Sequence, residues 1–475
     1  METTISDGLV SDRVELEESV HDVVIIGGGP GGYASALYAH NFGLSVALVE
    51  KERVGGTCLI RGCIPAKAWL ETASVYQTVE HAKDFGVQSA EPTLDWQAAL
   101  ARKNQIVDGL VTGLSGLLKA RGVEVYDGVG RVVSGGVEVT AADGSTTMLP
   151  TPATIVATGS VPRSIPGYDI DGVRIVTSDQ ALDWQQQPRR VAVIGAGAIG
   201  AEFASMLADV GSEVHLYEAL DQIIPGMEPD AAKALGRSFR KKGIKVRTGV
   251  QVGAPTVTTS GITVPAGGES VEVDVVLVAV GRAPVTDGVG LEAAGVATDR
   301  GFVPVNLETM QTAVPNIYAV GDIVAGTPQL AHVAFAEAIA AVTHIATGAI
   351  AAVDYRAIPM IVYTHPEAAS VGLTEAQAIA EGYDVNVTSH GMRGVGRAII
   401  HGETGGMVKI VAETDGPILG ATVVDPIAGE IIHELMYAVG WEALPEEAAE
   451  FIHAHPTISE GIGETLLAAA GRPLH

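Results

Sequence analysis

The apolar positions of this chain come in short blocks that run into glycine. Residues 21–32, "HDVVIIGGGPGG", hold four consecutive branched apolar residues and then a glycine cluster. An unbroken block of that kind reads as a strand buried on both faces, and the glycines as the turn after it. A helix-like stretch follows to about Phe42, and "SVALVE" (45–50) is a second apolar run ending in Glu50. Strand, turn, helix and strand make one βαβ unit. The same order returns in "RVAVIGAGAIGAEFASMLADVGSEVHLYE" (190–218). This near-repeat predicts two nucleotide-binding units in one chain.

Three further blocks stop at a glycine: "ATIVATGSVP" (153–162), "VDVVLVAVGRAP" (273–284) and "NIYAVGD" (316–322). In open α/β sheets ligands sit beyond the carboxyl ends of the strands, so each stop is a candidate contact. From about Ala352 the texture changes. Runs such as "MVKIVAE" and "ILGATVV" predict an antiparallel sheet flanked by helices. The expected fold class is therefore α/β: two Rossmann-like dinucleotide-binding domains followed by a C-terminal α+β domain. The expected boundaries are a flexible acidic arm over 1–20, a first dinucleotide domain over 21–160 and again over 281–352, a second over 161–280, and the C-terminal domain over 353–475.

The glycine loops sharpen this picture. Gly27-x-Gly29-x-x-Gly32 and Gly195-x-Gly197-x-x-Gly200 (Ala198 and Ile199 inside the second) each follow a strand and open a helix. The first glycine makes the turn, the second lets a pyrophosphate reach the backbone, and the third lets helix and strand pack. Free N–H groups at the helix start then bind the phosphates. Each unit's second strand ends in an acid at the same distance from its third glycine, Glu50 and Glu218. Such an acid can hold the hydroxyls of a ribose. Glu218 would repel a 2′-phosphate, and no Arg follows in "YEALDQ", so the second site should prefer NAD to NADP.

Composition mainly excludes. The 475 residues carry 29 Lys and Arg against 56 Asp and Glu, a net charge of −27, and no basic run. A nucleic-acid binder would show a basic patch. No apolar stretch is long and uninterrupted enough to span a bilayer. The N-terminus has no secretory pattern, so a cytoplasmic protein is expected.

The only two cysteines, Cys58 and Cys63, lie in "GGTCLIRGCIPAKAW" (55–69). C-x-x-x-x-C is too wide for a thioredoxin-type motif, and a zinc site would need further ligands nearby. On the residues alone, the pair fits a dithiol that cycles to a disulfide, or two inert buried thiols.

Taken with "GGGPGGY", "GAGAIGAEFA", "VAVGRAP", "IYAVGD", "YTHPEAASVGLTE" and "HAHPTISE", that segment resembles the pyridine nucleotide–disulfide oxidoreductases, from about residue 21 to the end. The pattern is most similar to the family's lipoamide-reoxidising branch. The resemblance implies flavin-dependent oxidation of protein-bound dihydrolipoamide with reduction of NAD+. Cys58 would be the thiol that exchanges with substrate and Cys63 the thiol beside the flavin. Lys67 would lie near the flavin and pair with Glu202. FAD would be held by Gly27, Gly29, Gly32, Glu50, Gly56, Thr57, Lys67, Gly130, Thr158, Gly159, Asp322 and Ala331. NAD would meet Gly195, Gly197, Ala198, Ile199, Gly200, Glu218, Val250 and Gly281. His455, assisted by Glu460, would be the base, completing the active site of the other subunit of a homodimer; His453 reads as a supporting residue. Lipoyl domains of 2-oxoacid dehydrogenase or glycine-cleavage complexes are the implied partners.

Four positions depart from the family pattern: Ile60–Arg61 between the cysteines, Val285 in "GRAPVT", and Asp425 where glycine is common. Glutathione- and mycothione-type reductases are the rival readings within the family, and Glu218 argues against their NADPH. A flavoprotein with only a binding or scaffold role is the rival outside it. The intact Cys58, Cys63, His455 and Glu460 argue against that one.

Overall fold

The computed structural model describes residues 21–259 and 261–475, so the arm expected over 1–20 lies outside the described residues. The first βαβ unit belongs to a five-stranded parallel sheet. Its order is Ile317–Ala319, Thr154–Val156, Val23–Ile26, Val46–Glu50 and Glu124–Asp127. Val23–Ile26 lies at the centre and is buried along its whole length. That explains its continuous apolar sequence, because helices cover both faces of a parallel sheet. Its register sets Val23 against Val46 and Val24 against Thr154. The Ile317–Ala319 strand arrives from far downstream, and the helix after it, Ala331–Thr347, packs on the first helix, Pro30–Ala39.

The second unit repeats the plan. Its parallel sheet runs Lys245–Arg247, Glu213–Tyr217, Arg190–Ile194, Val275–Val278 and Ile175–Val176, again with the fingerprint strand in the middle. Beyond them lies an antiparallel sheet of Met360–Val362, Glu367–Gly372, Ile418–Asp425, Met407–Glu413 and Val385–Gly391. Helix Ala428–Gly440 covers one of its faces through Ile432 and Leu435.

Two three-stranded meanders, over 129–150 and 256–273, escape the reading by apolar blocks. Their strands alternate buried and exposed residues instead of running apolar. The long helix Trp96–Ala120 escapes it too. Gly109, Gly113 and Gly116 read as breakers in its sequence, yet Asp95 caps its start by accepting from the Ala98 amide at 3.0 Å. Trp96 stacks on Trp69 with ring centres 4.3 Å apart, and the Trp69 indole donates to the Leu182 carbonyl at 3.1 Å. These contacts pin the helix Cys63–Glu80, which begins at a cysteine, to the second unit. Among the described residues no helix is long and apolar enough to cross a membrane.

Asp425 meets Glu367 directly across the antiparallel sheet. Asp425 is buried; one of its oxygens accepts from the Ile427 amide at 3.2 Å, and the other has no partner among the described residues. Glu367 accepts from the Gly429 amide at 2.7 Å. Both carboxyls thus sit at the start of helix Ala428–Gly440, where its dipole favours negative charge. Burial nevertheless pushes Asp425 up to about 6 and Glu367 up to about 7. The native state therefore keeps protons that the unfolded chain has released. That stabilising contribution is complete below the ordinary carboxyl range and is lost as pH rises through about 6 to 7. Replacing Asp425 by Asn should stabilise the protein at pH 8 by roughly 1–2 kcal/mol, with the gain vanishing towards pH 4. Calorimetry at the two pH values checks this, and a gain independent of pH would contradict it.

Candidate active site

Both glycine loops are built alike. Gly27 has φ +103°, and a Cβ there would stand 2.3 Å from the Ala157 carbonyl oxygen; Gly195 has φ +95°, and its Cβ would stand 2.4 Å from that of Ala279. A Cβ on Gly32 or Gly200 would collide with the carbonyl oxygen of Gly27 or Gly195. The middle glycines differ. A Cβ on Gly197 would meet nothing within 4 Å, and one on Gly29 only the Gly56 Cα at 3.8 Å. Outer glycines are therefore required by packing, and the middle ones keep the space before each helix open. Residues Ala198 and Ile199 begin the second of these helices, and Gly29 and Gly197 precede the two as caps.

Each acid at a strand end is braced by its own loop. Glu50 accepts from the Gly28 amide at 2.6 Å and the Glu52 amide at 2.9 Å. Glu218 accepts from the Ala196 amide at 2.7 Å and the Leu220 amide at 2.9 Å. Each carboxylate oxygen receives one backbone N–H and retains acceptor capacity for a hydroxyl. The Val250 amide donates to the Glu218 carbonyl at 3.0 Å, so Val250 flanks the same acid. Arg247, opposite Tyr217 on the neighbouring strand, is paired with Glu269. Gly130 packs tightly over Ile26 and Val49, at the ends of the first unit's central strands. These cradles fit one dinucleotide per unit.

Between the loops lies the cysteine turn. Gly56, with φ +57°, presses on Gly29, so the turn starts directly beside the first loop. Thr57–Arg61 form a π-helical turn that carries Cys58, and Cys63 opens helix Cys63–Glu80. Both cysteines are free thiols. Each acts on the other across the turn, and the interaction of the two thiols raises Cys58 while lowering Cys63 to about 7. Lys67 acts in the same direction on Cys63, and the helix N-terminus favours a thiolate there. Both directions favour the proton on Cys58 and developing charge on Cys63. Arg61 pairs with Glu52 and ties the turn to the Glu50 brace.

Lys67 donates to both oxygens of Glu202, at 2.8 and 3.0 Å. Glu202 is buried in helix Ala198–Asp209 of the second unit. A third element joins them. The Tyr363 amide donates to Glu202 at 3.0 Å, and its ring centre lies 4.4 Å from the Lys67 ammonium.

On the other side of the turn stands Arg282, the residue after Gly281. It donates to the Ser160 hydroxyl and carbonyl, both at 2.7 Å, reaches the Thr57 hydroxyl at 3.4 Å, and lies 4.0 Å from Asp322. Ser160 also donates to Asp322. Thr158 donates to the Val285 carbonyl at 2.5 Å, and the Val285 amide donates to Gly159 at 2.9 Å. Only the backbone of Val285 is used, so the departure from Asn leaves that junction intact. Glu337, wholly buried, accepts from the Gly321 amide at 2.6 Å and the Tyr355 hydroxyl at 3.0 Å, and burial pushes it up to about 7. Ala331 opens the same helix. Sequence reading missed Tyr363, Arg282, Ser160 and Glu337. The first three lie inside quoted motifs, "YTHPE", "VGRAP" and "ATGSVP", but nothing in those strings says what they touch.

His455 is separate from all of this within one chain. Its Nδ1 lies 2.7 Å from Glu460, whose other oxygen accepts from the Thr457 amide at 2.9 Å. The amide and the imidazole together hold the Glu460 carboxyl below its ordinary range. The His455 side chain is 78% exposed, and among the described residues no hydrogen bond joins it to the cysteine turn. Phe451 and Ile452, just before it, are 77% and 98% exposed, and so is most of Trp441. His453 instead turns inward to Glu434 at 2.5 Å.

Comparison with known proteins agrees with this architecture. Residues 21–338 match the family described as pyridine nucleotide-disulphide oxidoreductase, and residues 358–466 match its dimerisation domain. Dihydrolipoyl dehydrogenase of Bacillus subtilis (strain 168) is 41% identical over 471 residues, spanning 96% of this chain and 99% of the relative. The mitochondrial dihydrolipoyl dehydrogenase of Pisum sativum is 39% identical, spanning 96% and 92%. The crystal structure of LpdA from Mycobacterium tuberculosis superposes with a TM-score of 0.88 at 29% identity, covering 94% of this chain and 99% of that one. With its two braced glycine loops, its thiol turn between them and these full-length likenesses, this chain belongs to the pyridine nucleotide-disulphide oxidoreductases.

Proposed function

We propose that this protein oxidises protein-bound dihydrolipoamide to lipoamide and reduces NAD+ to NADH. The observation that carries the reading is the thiol turn: Cys58 on a π-helical turn and Cys63 opening the next helix, set between two dinucleotide cradles and beside Lys67 paired with the buried Glu202. The likeness to dihydrolipoyl dehydrogenases along nearly the whole chain supports the substrate class.

In this reading residues 21–160 and 281–352 bind FAD, through Gly27, Gly29, Gly32, Glu50, Gly56, Thr57, Lys67, Gly130, Thr158, Gly159, Asp322 and Ala331. Residues 161–280 bind NAD, through the loop Gly195–Gly200, Glu218, Val250 and Gly281. Residues 353–475 form a homodimer, which sets His455 of one subunit beside the cysteines of the other. The exposure of His455, Phe451, Ile452 and Trp441 in the single chain supports that arrangement. Lipoyl domains are the partners, and the cytoplasm is the compartment, where a cysteine pair serves redox chemistry better than structure.

The protein's own groups then act in order. In the oxidised enzyme Cys58 and Cys63 form a disulfide. His455, oriented by Glu460, takes the proton of a substrate thiol. The resulting thiolate attacks the Cys58 sulfur, a mixed disulfide forms, and Cys63 leaves as a thiolate stabilised by Lys67 and the helix start. The second substrate sulfur attacks the first and closes the lipoamide ring as its proton passes to the departing Cys58, while His455 keeps the first proton until it is released to solvent. The substrate has lost two electrons and two protons, and the cysteine pair holds the electrons. When bound, FAD supplies their onward transfer to NAD+ as a hydride.

A steady-state assay tests the reading: dihydrolipoamide with NAD+ should turn over far faster than glutathione or mycothiol disulfide with NADPH, and the reverse order would overturn it. Cys63→Ser should abolish lipoamide turnover, since a serine cannot form the disulfide; retained activity would mean the pair is not the electron relay. His455→Gln should lower kcat about 100- to 10,000-fold, the range for losing a general base, while leaving the visible spectrum of the purified protein unchanged. A loss of less than about ten-fold would move the base elsewhere.

A further inference from the structure

The C-terminal domain reaches the thiols within one chain as well as by its exposed face. Its segment from Val362 to Pro366 is fastened to helix Ala198–Asp209 at two points. The Tyr363 amide donates to Glu202 at 3.0 Å, and the His365 amide donates to Ser205 at 3.1 Å. Glu202 and Ser205 are three positions apart and lie on one face of that helix. The double attachment fixes the Tyr363 ring relative to Glu202, and the ring covers one side of the Lys67 ammonium at 4.4 Å from its centre.

Lys67 stands four residues after Cys63 on one helix, hence on the same face and one turn away. Its ammonium is held between the two Glu202 oxygens and the Tyr363 ring, and its charge favours the Cys63 thiolate. We propose that Tyr363 is a positioning residue: by holding the Lys67 ammonium between its ring and Glu202, it lets the C-terminal domain set the charge felt by Cys63. This inference rests on the reading of Cys58 and Cys63 as the redox pair. The ring face is electron-rich and attracts a cation, more strongly where water is scarce. Without it the lysine stem gains rotamer freedom and the ammonium spends less time beside the sulfur. The other titratable groups around Cys63 are Cys58 on its own segment, Tyr33 from helix Pro30–Ala39, Glu202 from helix Ala198–Asp209 and the Tyr363 phenol itself. A change at Tyr363 removes only the last, and the Phe variant below controls for it.

The test is a pH titration of the ultraviolet thiolate absorbance of the reduced protein. Every protein compared also carries Cys58→Ser, which leaves Cys63 as the only thiol in the chain, so that only Cys63 is read. Tyr363→Leu should raise the midpoint by about half a pH unit, a two- to five-fold smaller thiolate fraction, as expected for losing one cation–π contact. Tyr363→Phe keeps both ring and amide and should titrate like the unsubstituted protein. Tyr363→Trp, with the stronger face, should not raise the midpoint, and it gives a reading even where the Leu variant does not fold. An unmoved midpoint in Tyr363→Leu would overturn the proposal, as would a shift in Tyr363→Phe as large as that in Tyr363→Leu. Because the readout is a thiol titration and not lipoamide turnover, a wrong substrate assignment would leave it intact.

Discussion

The active region depends on one ion pair, Lys67 with Glu202. Lys67 belongs to the helix that Cys63 opens, and Glu202 to the helix that the second glycine loop opens. Their bond therefore fixes the thiols relative to both nucleotide cradles. It works because it is asymmetric in burial: Glu202 is 8% exposed and Lys67 34%. A carboxylate so deeply placed is costly unless it is fully bonded, and here both oxygens receive the ammonium and one also receives the Tyr363 amide. Losing the lysine would leave that charge uncompensated, so the pair is held in place more firmly than its net stabilisation suggests.

Around this joint the chain uses one local solution twice. Glu50 and Glu218 each tie the end of one strand to the loop leaving its neighbour, through paired amide bonds of near-equal length. The acid that would read a ribose is thus also the brace that shapes the phosphate loop. The units differ in what lies beyond. In the first, the cysteine turn presses on Gly29, and Arg282 gathers Thr57, Ser160 and Asp322. In the second, the space before Gly197 stays open. A cradle closed in by neighbouring structure suits a resident cofactor, and an open one suits a cofactor that comes and goes.

The departures from the family pattern resolve unevenly. Arg61 is absorbed by Glu52, and Val285 contributes only its backbone. Asp425 does alter the molecule, because it sets a second buried carboxyl opposite Glu367 at a helix start. These differences were visible in the sequence, but their weight was not. Whether a charged side chain matters depends on its burial and its partner, and both are tertiary facts.

The glycine spacing, the continuous apolar strands and the acids at their ends were legible because each follows from local backbone and burial rules: a turn needs a positive φ, a doubly covered strand needs apolar residues on both faces. The pairing of Lys67 with Glu202 was legible only through resemblance, since no local rule links residues so far apart in the chain. Tyr363, Arg282 and Glu337 stayed hidden for the same reason. Each acts through contacts made after distant segments have packed, and a string of letters carries no distance between segments. The sequence by itself determined two nucleotide units, a cysteine pair and a separate C-terminal domain. Tertiary structure decided which thiol is favoured to carry charge, because that depends on the other thiol, a helix end and an ammonium acting on one sulfur.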